Sequence, residues 1–196
     1  MQEKPQVAGY INFFLTYVND EIGEVGYFPA SETALKTSKL NWFKGMDISV
    51  DLPAVDPLAL SGDVVSAGSS TVFPLAEAMV ARFQDEGFSG QITVDSIGSG
   101  GGFERFCVEG ETDVSNASRG IKASEVESCQ AIGRDPLEFK VGTDALAITV
   151  SSENDFVTDV SMEELALIFG EAETWADVRA DWPAEPIVRY IPGTDS

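Results

Sequence analysis

The sequence predicts an α/β fold with a mainly parallel sheet flanked by helices, and three observations carry that prediction. From Gly62 onward, stretches with strand-like alternation take turns with stretches of helical periodicity. Two of the strand-to-helix junctions are built from Gly, Ser and Thr. A continuous apolar run, Ala145 to Val150, reads as a strand buried on both faces.

The elements follow in order. Val7, Ile11, Phe14 and Val18 recur at steps of four, three and four, which makes Pro5 to Ile22 an amphipathic helix. Gly23 to Ala30 breaks it, and Ser31 caps a second helix running to about Gly45. Met46 to Leu60, with Pro53 and Pro57, reads as an extended connector. Asp63 to Ser66 is a strand leading into Gly68-Ser69-Ser70-Thr71. Pro74 suits the first turn of the next helix, on which Leu75, Met79 and Phe83 form an i, i+4, i+8 stripe. Gln91 to Ile97 alternates as a strand and ends in Gly98-Ser99-Gly100-Gly101-Gly102, followed by a short helix from Phe103 to Val108. A third strand, Asp113 to Ala117, precedes a helix from Ser124 to Ile132. Ser161-Met162-Glu163-Glu164 is a capping box opening a helix to Phe169, and Pro186 to Ile191 reads as a last strand.

Composition excludes several functions. The chain has 196 residues, 43% of them hydrophobic, with 33 acidic against 12 basic side chains and a net charge of -21. Nucleic acid is therefore not an expected partner, because its backbone demands clustered cations. The sequence contains no His, which removes Ser-His-Asp and Cys-His catalysis and His-ligated metal. Neither a Walker lysine motif nor an EF-hand loop is present, and no cofactor or metal is expected.

The two Gly/Ser junctions point to one chemistry. Glycine lets the backbone approach a ligand closely, and a helix N-terminus offers unpaired N–H groups carrying about half a positive charge. Hydroxyls add donors without charge, so each junction suits a tetrahedral oxyanion held by neutral dipoles. Taken alone, each is equally a capped turn; two on successive units of one sheet argue for a site at its C-terminal edge. A third loop, Ser115-Asn116-Ala117-Ser118-Arg119, adds hydroxyls and a guanidinium that fits a phosphate-like group bidentately or pairs with a surface carboxylate.

Four motifs, Gly68-Ser69-Ser70-Thr71-Val72-Phe73-Pro74, Ile97-Gly98-Ser99-Gly100-Gly101-Gly102, Asp113-Val114-Ser115-Asn116-Ala117-Ser118-Arg119 and Pro192-Gly193-Thr194-Asp195-Ser196, resemble in order and spacing the phosphate-binding proteins of ATP-binding-cassette importers. The resemblance implies a periplasmic-binding-protein-like lobe over residues 62–150, including a crossover strand, and part of a second lobe over 151–196. It implies phosphate held between two lobes by Ser70 and Thr71 of the first loop, Ser99 and Gly100 of the second, Ser118 and Arg119 of the third, and Ser196 of the second lobe. Arg189 matches the family's second-lobe arginine only loosely, because the intervening length differs. Many members place an Asp in the third loop, where it accepts phosphate's proton and so rejects sulfate. Here that position gives Ser-Arg, leaving Asp144 and Asp195 as candidates for the role, with Asp144 equally a strand-end turn residue.

Segment order is unusual. Val7 to Leu40, with Gly9-Tyr10-Ile11-Asn12-Phe13 and Gly26-Tyr27-Phe28-Pro29, resembles the C-terminal end of the same family, yet lies ahead of the family's first strand. The expectation is a circular permutation or fusion in which helices of residues 1–45 pack on the 62–150 lobe, with 46–61 as connector. Cys107 and Cys129 are the only cysteines, and either form an extracytoplasmic disulfide or are two buried free thiols.

The resulting expectation is a non-catalytic phosphate-binding component working with a membrane permease in an extracytoplasmic setting. The start of the chain shows no apolar signal-peptide core. The alternatives are a self-associating module, in which a second chain or copy completes the second lobe, and a phosphoryl-transfer enzyme.

Overall fold

The computed structural model of the chain describes residues 3–48 and 54–191. Two compact units divide at Ala145/Leu146.

The larger unit opens with α1 (Pro5–Glu21), which takes Pro5 in its first turn and buries Val7, Tyr10, Ile11, Phe13, Leu15 and Val18. β1 (Phe28–Pro29) and α2 (Glu32–Met46) follow, and Ser31 Oγ accepts the Ala34 amide at 3.2 Å as the predicted cap. Within the described part of the connector, Pro57–Ala59 is a 3₁₀ turn whose Leu58 amide is accepted by Asp56 Oδ1 at 3.1 Å, rather than extended chain. Then come β2 (Val64–Gly68), α3 (Phe73–Asp85), β3 (Ile92–Ser96), α4 (Gly98–Glu104), a π-helical turn (Arg105–Glu109), β4 (Val114–Asn116), α5 (Ala123–Ala131) and β5 (Gly142–Thr143).

The sheet has strand order β3-β2-β4, and both pairings are parallel. Its register places Gly68 opposite Ser96 on one side and Asn116 on the other, so three strands end level with one another. One core joins α1, α3 and the sheet. Phe83, fully buried on the predicted stripe, meets Phe13 at 4.8 Å, Tyr10 at 5.6 Å and Phe88 at 4.7 Å between ring centroids. Val64, Leu75 and Met79 complete the contact. Truncating a ring so enclosed costs about 3–5 kcal/mol. Trp42 on α2 donates from Nε1 to the Ala8 carbonyl at 2.9 Å, and Lys4 pairs with Asp113 at 2.6 Å, fastening the N-terminal segment to the body of the unit. Cys107 and Cys129 form a disulfide between the π-helical turn and α5.

The smaller unit contains α6 (Met162–Phe169), opened by the predicted capping box: Glu164 Oε2 accepts the Ser161 amide at 2.7 Å, and Ser161 Oγ accepts that of Glu164 at 3.2 Å. Ile168, Ala172 and Ile187 form its small core. Beside it, Phe156, Trp175 and Trp182 pack within 6.0 Å of one another, centroid to centroid.

Three predicted elements are corrected. The short helix expected from Phe103 begins at Gly98 instead, so the glycine run forms its first turns. Ala145–Val150 is not a crossover strand: it joins no ladder among the described residues, and Leu146, Ile148 and Val150 are 79%, 50% and 44% exposed. Pro186–Ile191 contributes only a bridge from Pro186 to Thr174, leaving Val188 and Tyr190 exposed. The cause is shared by both. Strand identity requires a partner edge, and apolar alternation predicts burial only where that edge and a covering layer are supplied.

Candidate functional site

The level ending of β3, β2 and β4 brings three loops to one edge of the sheet, with the β2 loop in the middle. Open parallel sheets bind ligands at this edge, because helix N-termini and loop amides collect there.

The central loop runs from Ser69 to Val72. The Ser69 amide donates to the Asn116 carbonyl at 2.9 Å, and Phe73 to the Ser69 carbonyl at 3.1 Å. The amides of Ser70, Thr71 and Val72 between them make no hydrogen bond among the described residues. Three consecutive free donors at the start of a 13-residue helix are a concave set suited to an anion. Ser70 and Thr71 are half-buried, whereas Ser69 is buried.

The second and third loops touch. Ser99 Oγ lies 3.2 Å from Ser118 Oγ and accepts the Ser118 amide at 3.1 Å. Gly98 takes φ +78°, a conformation that glycine adopts without strain, and this turns the chain from β3 into α4. Gly102, one turn along, lies so close to β2 that a Cβ there would sit 2.6 Å from Gly68 Cα and 2.8 Å from the Ala67 carbonyl oxygen. Gly100 is exposed on the same turn.

Arg119 is committed to a carboxylate. Its Nη2 and Nη1 donate to Glu125 Oε1 and Oε2 at 2.6 and 2.9 Å, and its guanidinium stacks 5.0 Å over the Phe103 ring. Those hydrogen bonds, helped by the Lys122 amide, hold Glu125 down to about 2 from its usual 4.5. The remaining arginines are engaged as well. Arg82 pairs with Asp20, Glu21 and Glu86, Arg105 with Asp95, and Arg179 with Glu164 and Asp159; Arg134 and Arg189 donate to backbone carbonyls. Arg189, donating to the Ile168 and Ala172 carbonyls, serves the end of α6.

Sequence reasoning did not single out Tyr27. Its hydroxyl donates to the Thr71 carbonyl at 2.6 Å, and burial followed by the nearby Asp144 charge raises its pKa. Asp144 is exposed and follows β5, whose antiparallel pairing with β1 sets Phe28 opposite Thr143. Asp144 thus acts electrostatically on the tyrosine whose hydroxyl is bonded to the central loop. Ser196 and Asp195 lie outside the described residues.

A parallel-sheet unit with Gly- and Ser-rich loops at its strand ends defines the class, and comparison with known families agrees: residues 30–196 match the model of the PBP superfamily domain, and the chain belongs to that family. Among individual relatives, the protein SphX of Synechococcus elongatus is 45% identical over 138 residues, covering 68% of this chain and 40% of that protein. The phosphate-binding protein PstS of Staphylococcus saprophyticus is 41% identical over 132 residues, covering 67% and 41%. A crystal structure of a possible phosphate-binding protein from Planctomyces limnophilus superposes with a TM-score of 0.56 at 37% identity, covering 64% of this chain and 45% of that one. The chain spans about two-fifths of the length of the curated relatives it matches.

Proposed function

We propose that this chain carries the phosphate-recognising lobe of a solute-binding component of an ATP-binding-cassette importer, a binding rather than catalytic role. The observation that carries it is the run of three unbonded amides, Ser70 to Val72, flanked by the Ser99–Ser118 pair on the adjoining loops. In a chain of net charge -21, with each arginine already engaged by carboxylates or carbonyls, the Ser70–Val72 amides and the Ser99 and Ser118 hydroxyls offer an anion neutral N–H and O–H dipoles, to which Arg119 adds the N–H groups that Glu125 does not take. The relatives named above as phosphate-binding proteins supply the ligand.

On this reading Ser70, Thr71, Ser99, Gly100 and Ser118 contact phosphate, and Arg119 reaches it with one edge while Glu125 holds the other. Asp144, with Asp195 as the other candidate, accepts phosphate's proton, and Ser196 belongs to the opposing lobe. The setting is extracytoplasmic and the partner is a membrane permease. Among the described residues, no helix is long and apolar enough to cross a membrane.

Calorimetric titration with phosphate and with sulfate tests the proposal on two samples: this chain, and this chain joined to the second lobe of a relative. Weak binding by the chain alone, strengthened by the added lobe and selective for phosphate, is the expected result. Equal affinity for sulfate would remove the proton-accepting role of Asp144, and no binding in either sample would remove the proposal.

A second reading has one observation in its favour. Leu146, Ile148, Val150, Val188 and Tyr190 are exposed on the smaller unit, apolar area that a second copy completing the second lobe would cover. Light scattering across a concentration series separates a monomer from such a dimer.

A further inference from the structure

We infer that Tyr27 is a positioning residue for the central anion loop, acting through the Thr71 carbonyl rather than by touching the ligand. This deepens the phosphate-binding reading and rests on it for the ligand's identity, but its structural half stands without any ligand. The Tyr27 hydroxyl donates to the Thr71 carbonyl at 2.6 Å across 44 residues of sequence. A peptide group is planar, with its C=O and N–H pointing oppositely. Fixing the Thr71 carbonyl therefore fixes the Val72 N–H, the last of the three free amides, and turns it away from the tyrosine.

Loop amides are good anion donors only while their directions are held; a peptide that flips presents its carbonyl instead and repels the ligand. The hydrogen bonds from the Phe73 amide to the Ser69 carbonyl and from the Ala76 amide to the Val72 carbonyl bracket this peptide without engaging its own carbonyl or N–H, and the Val72 N-cap of α3 makes no side-chain cap hydrogen bond. Tyr27 is the group that bonds the peptide itself. It is itself well anchored, with its ring packed against the main core and the following Phe28–Pro29 paired with Gly142–Thr143. The sequence segment it comes from is the Gly23–Ala30 break after α1, far from the Gly/Ser motifs, so a piece of chain with no anion-binding composition completes the loop.

The test is Tyr27→Phe in the 196-residue chain, a change that keeps the ring and removes the hydroxyl. Backbone NMR of the ligand-free protein should show the Phe73 amide, bonded to the Ser69 carbonyl across this loop, exchanging about threefold to tenfold faster with solvent, while α1 and β2 amides keep their protection. A merely structural role for Tyr27 would instead lower the denaturation midpoint and loosen all these amides together, and that result overturns the inference. Unchanged exchange at Phe73 overturns it too. The second arm titrates inorganic phosphate and follows amide shifts at Ser70 to Phe73. Wild type responding at lower phosphate concentration than Tyr27→Phe, by a similar factor, is expected; equal response in both proteins overturns the link to binding. If wild type shows no phosphate response in the loop, alone or joined to the second lobe of a relative, the phosphate reading fails, and the ligand-free exchange data still decide whether Tyr27 holds the peptide.

Discussion

Ser99 Oγ accepts the amide of Ser118 at 3.1 Å, so the loops that follow the two outer strands are fastened to each other in front of the strand between them. The pair is a clasp made by one hydroxyl, and it determines how the hydroxyls of both loops are presented. Ser99→Ala removes the acceptor and leaves the Ser118 amide to solvent. Because both groups are near the surface, the expected loss of stability is small, about 0.5–1 kcal/mol. Phosphate affinity should fall further than that, since two site residues lose their arrangement together. Urea denaturation alongside a phosphate titration checks both parts, and a stability loss without an affinity loss would make the clasp purely structural.

Gly102 sets how closely α4 sits on the sheet. A methyl group there would meet Gly68 Cα and the Ala67 carbonyl, both backbone, with Ser115 Oγ at 3.0 Å on another side. None of these can move aside cheaply, so Gly102→Ala should push α4 outward and cost about 1–3 kcal/mol. Gly100→Ala, by contrast, meets nothing within 4 Å and should leave the fold unchanged. The two substitutions lie on one turn, which makes their difference in denaturation midpoint a direct measure of the close approach.

This contrast also shows why parts of the molecule were legible in the sequence and parts were not. Leu75, Met79 and Phe83 announce a buried helix face because periodicity is a local property, and the structure buries all three. The Gly, Ser and Thr runs at the strand ends are equally local and announce themselves. Tyr27 is the opposite case: its role depends on a carbonyl 44 residues away, and no local pattern encodes that distance. The Arg119–Glu125 pair was foreseen only as one of two options, because a guanidinium carries no sign of which partner it will choose. Ala145–Val150 misled for a related reason: its apolar character reports that the segment is suited to burial, whereas burial itself requires neighbours that the described residues do not provide.

Acid should release the third loop. Glu125 has a folded pKa of about 2, lowered first by the Arg119 hydrogen bonds, against a usual 4.5. A depressed carboxylate pKa contributes stability that is complete above the unfolded value and fades as pH falls through the folded one. The window here is therefore from about 4.5 down to about 2, and neutral to alkaline pH should leave this contribution untouched. Carboxyl NMR titration should find Glu125 ionised well below the ordinary carboxylate range. In Arg119→Ala its pKa should rise toward 4.5, while the Lys122 amide keeps it somewhat below. An unchanged Glu125 in that variant would mean the ion pair does not persist in solution.

The disulfide gives the last prediction. Cys107 and Cys129, 22 residues apart, join the turn continuing α4 to α5, the helix that carries Glu125. Closing a loop of this length restricts the unfolded chain and contributes about 3 kcal/mol on a chain-entropy view. Both sulfurs are buried beside Phe103, the ring beneath the Arg119 guanidinium, so the bond also supports the packing on which that arginine rests. Cys107→Ser with Cys129→Ser would bury two hydroxyls and add a desolvation cost unrelated to the bond. The double alanine variant is the cleaner choice. It should lose about 3 kcal/mol in urea denaturation, and reduction of the wild-type protein should reproduce most of that loss. Because Ser118 and Arg119 lie within the cross-linked segment and Ser99 and α4 lead directly into Cys107, the variant's second and third loops should show broader amide resonances than the wild type's. The Ser70–Val72 amides, held by β2, α3 and Tyr27, should not change. Equal broadening in all three loops would mean that the cross-link stabilises the unit as a whole and has no particular hold on one side of the site.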